Sequence, residues 1–424
     1  MSLNVSMSKL LLLVILVVLN TGAHAEDWPH WRGPRHDGTS RETGLPTTWS
    51  QGENVRWRLK LPGPAPSTPI VWQDRIFLTS ADGDDLVLLA VSRDGQILWK
   101  RAVSSGNQNI RQGESNMAAP TPSTDGEHIW VFFGTGDLAC YDFNGEEIWK
   151  FNVQERYKSF RIYWGMSTTP LLDGNLLYLL LLHTNQQLVL ALDKNTGGEV
   201  WQHQRKSDAY SESLHSYASP VIYRFDGQEF LLTHGADYIV AHDLRDGSEI
   251  WRCGGLQSGI YNPLLRFVAT PVVTAGLIVV PSAKNGPILG LNPKGARGDI
   301  TQSSNHVIWK RDNHTPDVPS PVIYDGLVYL CRENGQLLCL DTKSGKEVYY
   351  ERAHNKRHRG SPVYADGKLY LVGMDGTVTV LKAGRHFEIL AKNQMQEQTA
   401  ASPAISDGTI YLRTYEALYA ISGK

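Results

Sequence analysis

The sequence predicts an all-β chain folded as an eight-bladed β-propeller of four-stranded antiparallel blades, and three recurring features point to it. A proline after a small residue returns every roughly 40 to 50 residues, at Pro69, Pro120/Pro122, Pro170, Pro220, Pro271, Pro321, Pro362 and Pro403. Between these markers lie short β-type runs broken by Asp-Gly or Asn-Gly turns, and most units end on a tryptophan. A four-stranded sheet of this kind has two apolar faces that only similar neighbours can cover, so the units must stack around an axis.

Taken in chain order, the first element is a leader. Lys9 precedes the apolar run Leu10–Leu19, and Ala23-His24-Ala25 matches a small-x-small cleavage site, so residues 1–25 read as a signal peptide. Its ten or so strongly apolar residues fall short of the about twenty that span a bilayer. The mature chain is therefore expected to be exported, periplasmic or secreted, with no transmembrane segment. Residues 26–52 form an N-terminal strap, and residues 53–424 form the propeller.

Within each unit the first turn carries pairs such as Asp125-Gly126, Asp325-Gly326 and Asp407-Gly408, which tolerate positive φ. The second is seen at Asn334-Gly335 and Asp375-Gly376. The third, at Asp94-Gly95, Asn144-Gly145, Asn195-Thr196-Gly197, Asp246-Gly247 and Ser344-Gly345, is followed by Trp99, Trp149, Trp201, Trp251 and Tyr349, with Trp309 after a longer insertion. These aromatics are expected to fill the wedge between neighbouring blades. The last unit supplies only three strands, whereas Asn54–Leu61 with Trp57 is an orphan fourth strand. It is expected to complete the last blade and close the ring, which removes two exposed sheet edges.

Charge and cysteine content exclude other classes. With 41 basic and 43 acidic side chains the net charge is −2, which offers no general attraction for nucleic acid. Cys140 and Cys253 fall in separate units. A two-residue turn at Asn334-Gly335 would pair residue 331 with residue 338 and put Cys331 and Cys339 on opposite faces of their hairpin, so no essential disulfide is expected. No Gly-x-Ser-x-Gly, His-Glu-x-x-His or Walker-type loop is present, and the isolated histidines read as structural residues.

The pattern Asp-x-x-x-Gly-x-x-x-Trp, with Ser/Thr-Pro opening the next unit, resembles the pyrroloquinoline-quinone (PQQ) type of propeller repeat over residues 53–424. The stretch Asp27-Trp28-Pro29-His30-Trp31-Arg32-Gly33-Pro34 resembles the leader before the first blade in exported proteins of that type. The resemblance implies two sorts of activity: quinoprotein dehydrogenases, and non-enzymatic propellers of outer-membrane assembly. The dehydrogenases are implied to carry adjacent cysteines and a calcium ion held by several oxygens. This chain has no adjacent cysteines, and its nearest acidic run, Asp82-Gly83-Asp84-Asp85, reads as a hairpin tip.

The longest links between blades, residues 102–119, 152–168, 206–218 and 254–269, should raise one half of one face. Arg111, Asn116, Arg161, Trp164, Tyr217, Tyr261 and Arg266 on these links, with Arg357 and Arg359 across the ring, form the expected ligand-contact set. No catalytic residue, metal ligand or cofactor is assigned. The leading expectation is a monomeric, non-enzymatic scaffold that binds a protein or peptide of the cell envelope. The alternatives are a PQQ- and calcium-dependent oxidoreductase, with the quinone on Trp164 and clamped by Arg357 or Arg359, and a carbohydrate-binding propeller that uses the same aromatics.

Overall fold

A computed structural model describes residues 25–111, 113–257 and 259–423; the leader expected from sequence lies outside them except for its last residue. Among the described residues, eight sheets of four antiparallel blade strands follow one another around a ring, with one small two-stranded hairpin, Asn109–Arg111 with Ser115–Asn116, between the first two. Blades 1 to 7 take their four strands in chain order, the first spanning Ile70–Trp72 to Ile97–Ser105 and the seventh Val363–Ala365 to Ile389–Gln394, with the short strand Gly298–Asp299 inserted before the last strand of blade 5. Blade 8 takes three strands from the C-terminal end, and its outer strand is Val55–Lys60, antiparallel to Ala417–Ile421. The orphan strand closes the ring as its sequence predicts. One apolar cluster accordingly joins Ile76 and Leu89 of blade 1, Tyr370 and Val380 of blade 7, and Leu412 and Leu418 of blade 8.

Burial follows position in the blade. The second and third strands are covered on both faces and read as nearly unbroken apolar runs, as in Leu176–His183. Outer strands face solvent on one side and alternate, as in Val55–Lys60.

The tryptophans of the outer strands dock on the third turn of the next blade. The indole N–H of Trp57 donates to the Arg93 carbonyl (2.6 Å), Trp99 to Phe143 (2.9 Å), Trp149 to Lys194 (2.9 Å), Trp201 to Leu244 (3.0 Å) and Trp309 to Thr342 (2.7 Å). Gly345 shows why that turn needs glycine: its φ is +66°, and a Cβ there would lie 2.6 Å from the Trp309 ring. The wedge is fully buried at Trp251, Trp201 and Trp309 and only half-buried at Trp99 and Trp149. Trp251 lacks the carbonyl partner because the insertion of blade 5 replaces the turn, and Gly298–Asp299 of that insertion instead pairs with Trp251 and Arg252 as a parallel fifth strand.

The blades are also tied at the axis. In all eight units the residue before the marker proline carries a hydroxyl, and in seven of them its oxygen accepts the N–H of the same residue one blade earlier. The relay runs from the Thr68 N–H to Thr121, then to Thr169, Ser219, Thr270, Ser320, Ser361 and Ser402, at 2.9–3.2 Å. Those seven links leave one gap, between blade 8 and blade 1. There Arg413, fully buried, crosses the seam and donates to the Ser67 and Ser80 hydroxyls and to the Thr79 and Gly63 carbonyls. With no carboxylate against it, burial lowers its pKa to about 9, so it stays charged at neutral pH.

The strap closes one end of the channel. Trp28 pairs with Val71 of blade 1, the Pro29 carbonyl accepts from Thr124 of blade 2, and the buried Arg32 guanidinium donates to Pro321 (2.5 Å) and Pro362 (3.0 Å) on the opposite side of the ring.

One sequence expectation is corrected. Cys331 pairs with Leu337, and Tyr329 with Cys339, because residues 333–335 form a three-residue turn with Gly335 at φ +79°. The one-residue change in register puts Cys331 and Cys339 on the same face, in one apolar cluster; they and the other two cysteines are free buried thiols.

Trp309→Ala removes a buried ring and its hydrogen bond and is expected to cost about 3–5 kcal/mol in chemical denaturation. A loss below about 1 kcal/mol would show that the wedge does not couple the blades.

Candidate functional site

The channel end opposite the strap is open, and a cavity of about 200 Å³ lies there. Its wall is the ring of Ser and Thr hydroxyls, Trp31 of the strap forms part of the lining, and Arg111, Glu114, Trp164, Tyr217, Arg266 and Arg359 surround it from the inter-blade links. Each ring hydroxyl of Thr121, Thr169, Ser219, Thr270, Ser320, Ser361 and Ser402 already uses its oxygen as an acceptor toward the previous blade. None of these hydroxyls donates to an acceptor among the described residues. Seven O–H donors therefore remain available to whatever fills the cavity.

The links bring together side chains that are far apart in sequence. The small hairpin of Asn109–Arg111 and Ser115–Asn116 reaches across the mouth, where the Tyr415 hydroxyl of blade 8 donates to the carbonyls of Gly113 and Glu114 (3.0 and 3.3 Å). The Glu114 carboxylate meets Arg111 (3.1 Å), Arg359 (2.6 Å) and Arg357. Asp317 pairs with Arg266 (2.9 Å) and Arg359 (3.2 Å), and Glu212 lies 3.7 Å from Arg266 and accepts the Trp164 indole N–H at 2.6 Å. Arg111 and Arg266 sit over the Trp164 ring at 5.2 and 5.6 Å. Burial lowers the pKa of Arg111 against the pull of Glu114, with Arg359, Arg266 and Arg357 acting in the same direction as burial.

Six of the nine residues expected from sequence thus converge: Arg111, Trp164, Tyr217, Arg266, Arg357 and Arg359. Tyr217 is buried and its hydroxyl accepts the Trp164 backbone N–H (3.3 Å), while Arg357 is half exposed at the rim of the network. The other three stand apart from the cavity. Asn116 is buried and braces its own link, donating to the Pro64 carbonyl (2.7 Å) and accepting from Ala118 (3.0 Å). Arg161 is exposed, and Tyr261 is packed against Tyr210 with ring centroids 5.1 Å apart. The acidic partners Glu114, Asp317 and Glu212 and the floor residue Trp31 were not in the expected set. A hydroxyl before the proline of every unit is the sequence signal that marks the channel wall.

A calcium ion and quinone, as in quinoprotein dehydrogenases, can be tested against these side chains. Every carboxylate at the mouth already faces a guanidinium, Glu114 three of them, so a divalent cation would stand among four arginines. Among the described residues the metal-type donors that lie close together are Asp125, Glu127 and His128, outside the cavity lining, with Asp125 paired to Lys194. The ring expected to carry a flat ligand, Trp164, is covered by arginines. The donor set does not fit the calcium-quinone pair.

A closed ring of eight four-stranded blades, strapped at one end of its channel and crowned by loops at the other, is a propeller of the quinoprotein type of repeat. A family model described as outer membrane protein assembly factor BamB matches residues 47–123, 114–348 and 294–424, and the chain belongs to that family. Among solved structures it is similar to BamB from Moraxella catarrhalis, with a TM-score of 0.63 and 16% identity over 87% of this chain and 97% of that one. It is also similar to the quinohemoprotein alcohol dehydrogenase from Comamonas testosteroni (TM-score 0.69, 13% identity, 94% of this chain and 81% of that one). A third is quinohemoprotein alcohol dehydrogenase ADHIIG from Pseudomonas putida HK5 (0.67, 12%, 94% and 80%). At these identities the likeness establishes the fold. No curated protein matches the sequence.

Several buried histidines of the blades and their links are held neutral by burial. The pKa values of His183, His215 and His358 fall to about 4, and those of His234 and His242 to about 3. In the unfolded chain a histidine takes up its proton near pH 6.5. The unfolded state therefore binds more protons below that pH, and stability is lost as pH falls from about 6.5 toward 4. Thermal unfolding at fixed ionic strength is expected to show Tm falling steadily across that window. A flat profile would show that these rings are accessible to protons in the folded state.

Proposed function

We propose that this propeller is an exported, monomeric, non-enzymatic binding scaffold that engages a protein or peptide partner of the cell envelope through the loop-crowned face. The observation that carries the reading is the rim formed by the links of blades 2 to 5. Tyr163, Tyr210, Ile260, Tyr261 and Leu264 are large apolar side chains left exposed there, Ile260 at 95% and Leu264 at 61%. The links that present them are locked to one another. Trp164 bonds Glu212 and Tyr217, Tyr163 packs on His215 (5.0 Å), Tyr210 on Tyr261, and the Ser213 hydroxyl donates to the Asn262 and Leu265 carbonyls. Rigid aromatic anchors within a polar frame lose little conformational entropy on association, which suits a protein interface. Membership of a family described as an outer membrane assembly factor supports the same reading.

The test is site-specific photocrosslinking in the native envelope. A benzophenone side chain at Leu264 is expected to give a discrete adduct with an envelope protein, lost when Ile260→Asp and Tyr210→Ala are added. The same probe at Ile148, 49% exposed on the outer strand of blade 2, is expected to give none. Equal labelling at both positions, or none at Leu264, would overturn the proposal.

A further inference from the structure

The Glu114 carboxylate is an intramolecular guest in an anion site. Its side chain is 9% exposed and is held by three guanidiniums, one from its own hairpin and two from the link between blades 6 and 7 on the other side of the ring. Four arginines at the mouth face three carboxylates, and Glu333 behind Asp317 is matched by Lys284 (3.4 Å), so one positive charge is in excess. Arg359, whose side chain is 8% exposed, still has its Nε without a partner. Below it the ring hydroxyls present donors and no opposing acceptors. The unpaired Nε, the excess charge and the hydroxyl donors all call for acceptor oxygen, which Glu114 on its short hairpin and Asp317 on Arg359 supply only in part.

We propose that the channel mouth is a binding site for a carboxylate-bearing ligand, which takes the place of Glu114 on Arg111, Arg357 and Arg359 and extends its remaining oxygens toward the hydroxyl ring. The chemistry is that of the present occupant: two oxygens in one plane against forked guanidinium donors. Asp317, whose Oδ2 already pairs with Arg266 and Arg359, keeps its buried Oδ1 without a partner beside the same guanidinium. The cavity volume, about 200 Å³, admits a small acid or the acidic end of a longer chain. This site does not depend on the scaffold reading, since a small acid can occupy the channel whether or not a partner docks on the rim.

Glu114→Gln is the decisive variant because it is expected to gain binding, which a misfolded protein could not do. Isothermal titration of the full mature chain with succinate is expected to show affinity rising about tenfold or more in Glu114→Gln, as the competing internal carboxylate is removed. Binding is expected to be lost in Arg359→Ala, with thermal unfolding used to confirm that this variant is folded. Titration with the peptide Gly-Gly-Asp-Glu distinguishes the sources: tighter binding than succinate identifies a polypeptide carboxylate, and weaker binding a free acid, either in support. Glucose is expected to give no heat. Absence of succinate and peptide binding in folded Glu114→Gln, binding equal to that of the parent protein, or binding of inorganic phosphate alone would overturn the assignment.

Discussion

The structure depends on how eight separate sheets are held at a common axis. Each inner strand enters the channel wall at a Ser or Thr followed by proline, and the hydroxyl takes the backbone N–H that its neighbour would otherwise leave buried and unpaired. Proline fixes φ at the start of the strand and has no N–H of its own to satisfy. The seven links make the axis a hydrogen-bonded ring, and the eighth position, where the chain ends meet, is spanned by the Arg413 guanidinium. The same bonding determines the chemistry of the channel. Hydroxyl oxygens committed to the wall leave their protons directed elsewhere, so a device that holds blades together also produces a donor-lined cavity.

At the outer radius the coupling is apolar. Each tryptophan of an outer strand lies on the glycine turn of the next blade and bonds a carbonyl there, so wedge and turn specify one another. Where blade 5 replaces its turn with an insertion, the neighbouring Trp251 keeps its burial and loses its hydrogen bond, and a parallel strand covers the edge instead. The strap acts at the remaining open place. By spanning from blades 1 and 2 to blades 6 and 7 it shuts one end of the channel and leaves the loop-crowned end as the way in.

Much of the fold was legible because it repeats. Period, turn dipeptides and wedge aromatics recur often enough to be read without coordinates, and the orphan strand with Trp57 gave the closure of the ring. The site was legible in part. Its arginines and Trp164 stood out as polar and aromatic residues on unusually long links. Glu114 meets Arg357 over a sequence separation of 243, and no local pattern marks that meeting. Asp317 and Glu212 were invisible for the same reason. Arg413 closes the wholly buried strand Thr409–Arg413, and a lone cation there is a signal that buried acceptors must await it. The Cys331 hairpin was misread by one residue because Asn-Gly serves both two-residue turns and longer turns with a glycine at the left-handed position.

The central claim, that the ring is held shut at its axis, is tested most directly at the seam. Urea denaturation of Arg413→Met, followed by both tryptophan fluorescence and far-ultraviolet circular dichroism, measures what the bridge contributes. The account expects one cooperative transition, coincident for the two probes, with stability lower by about 3 kcal/mol or more because several buried acceptors lose their donor. An unchanged midpoint would contradict it.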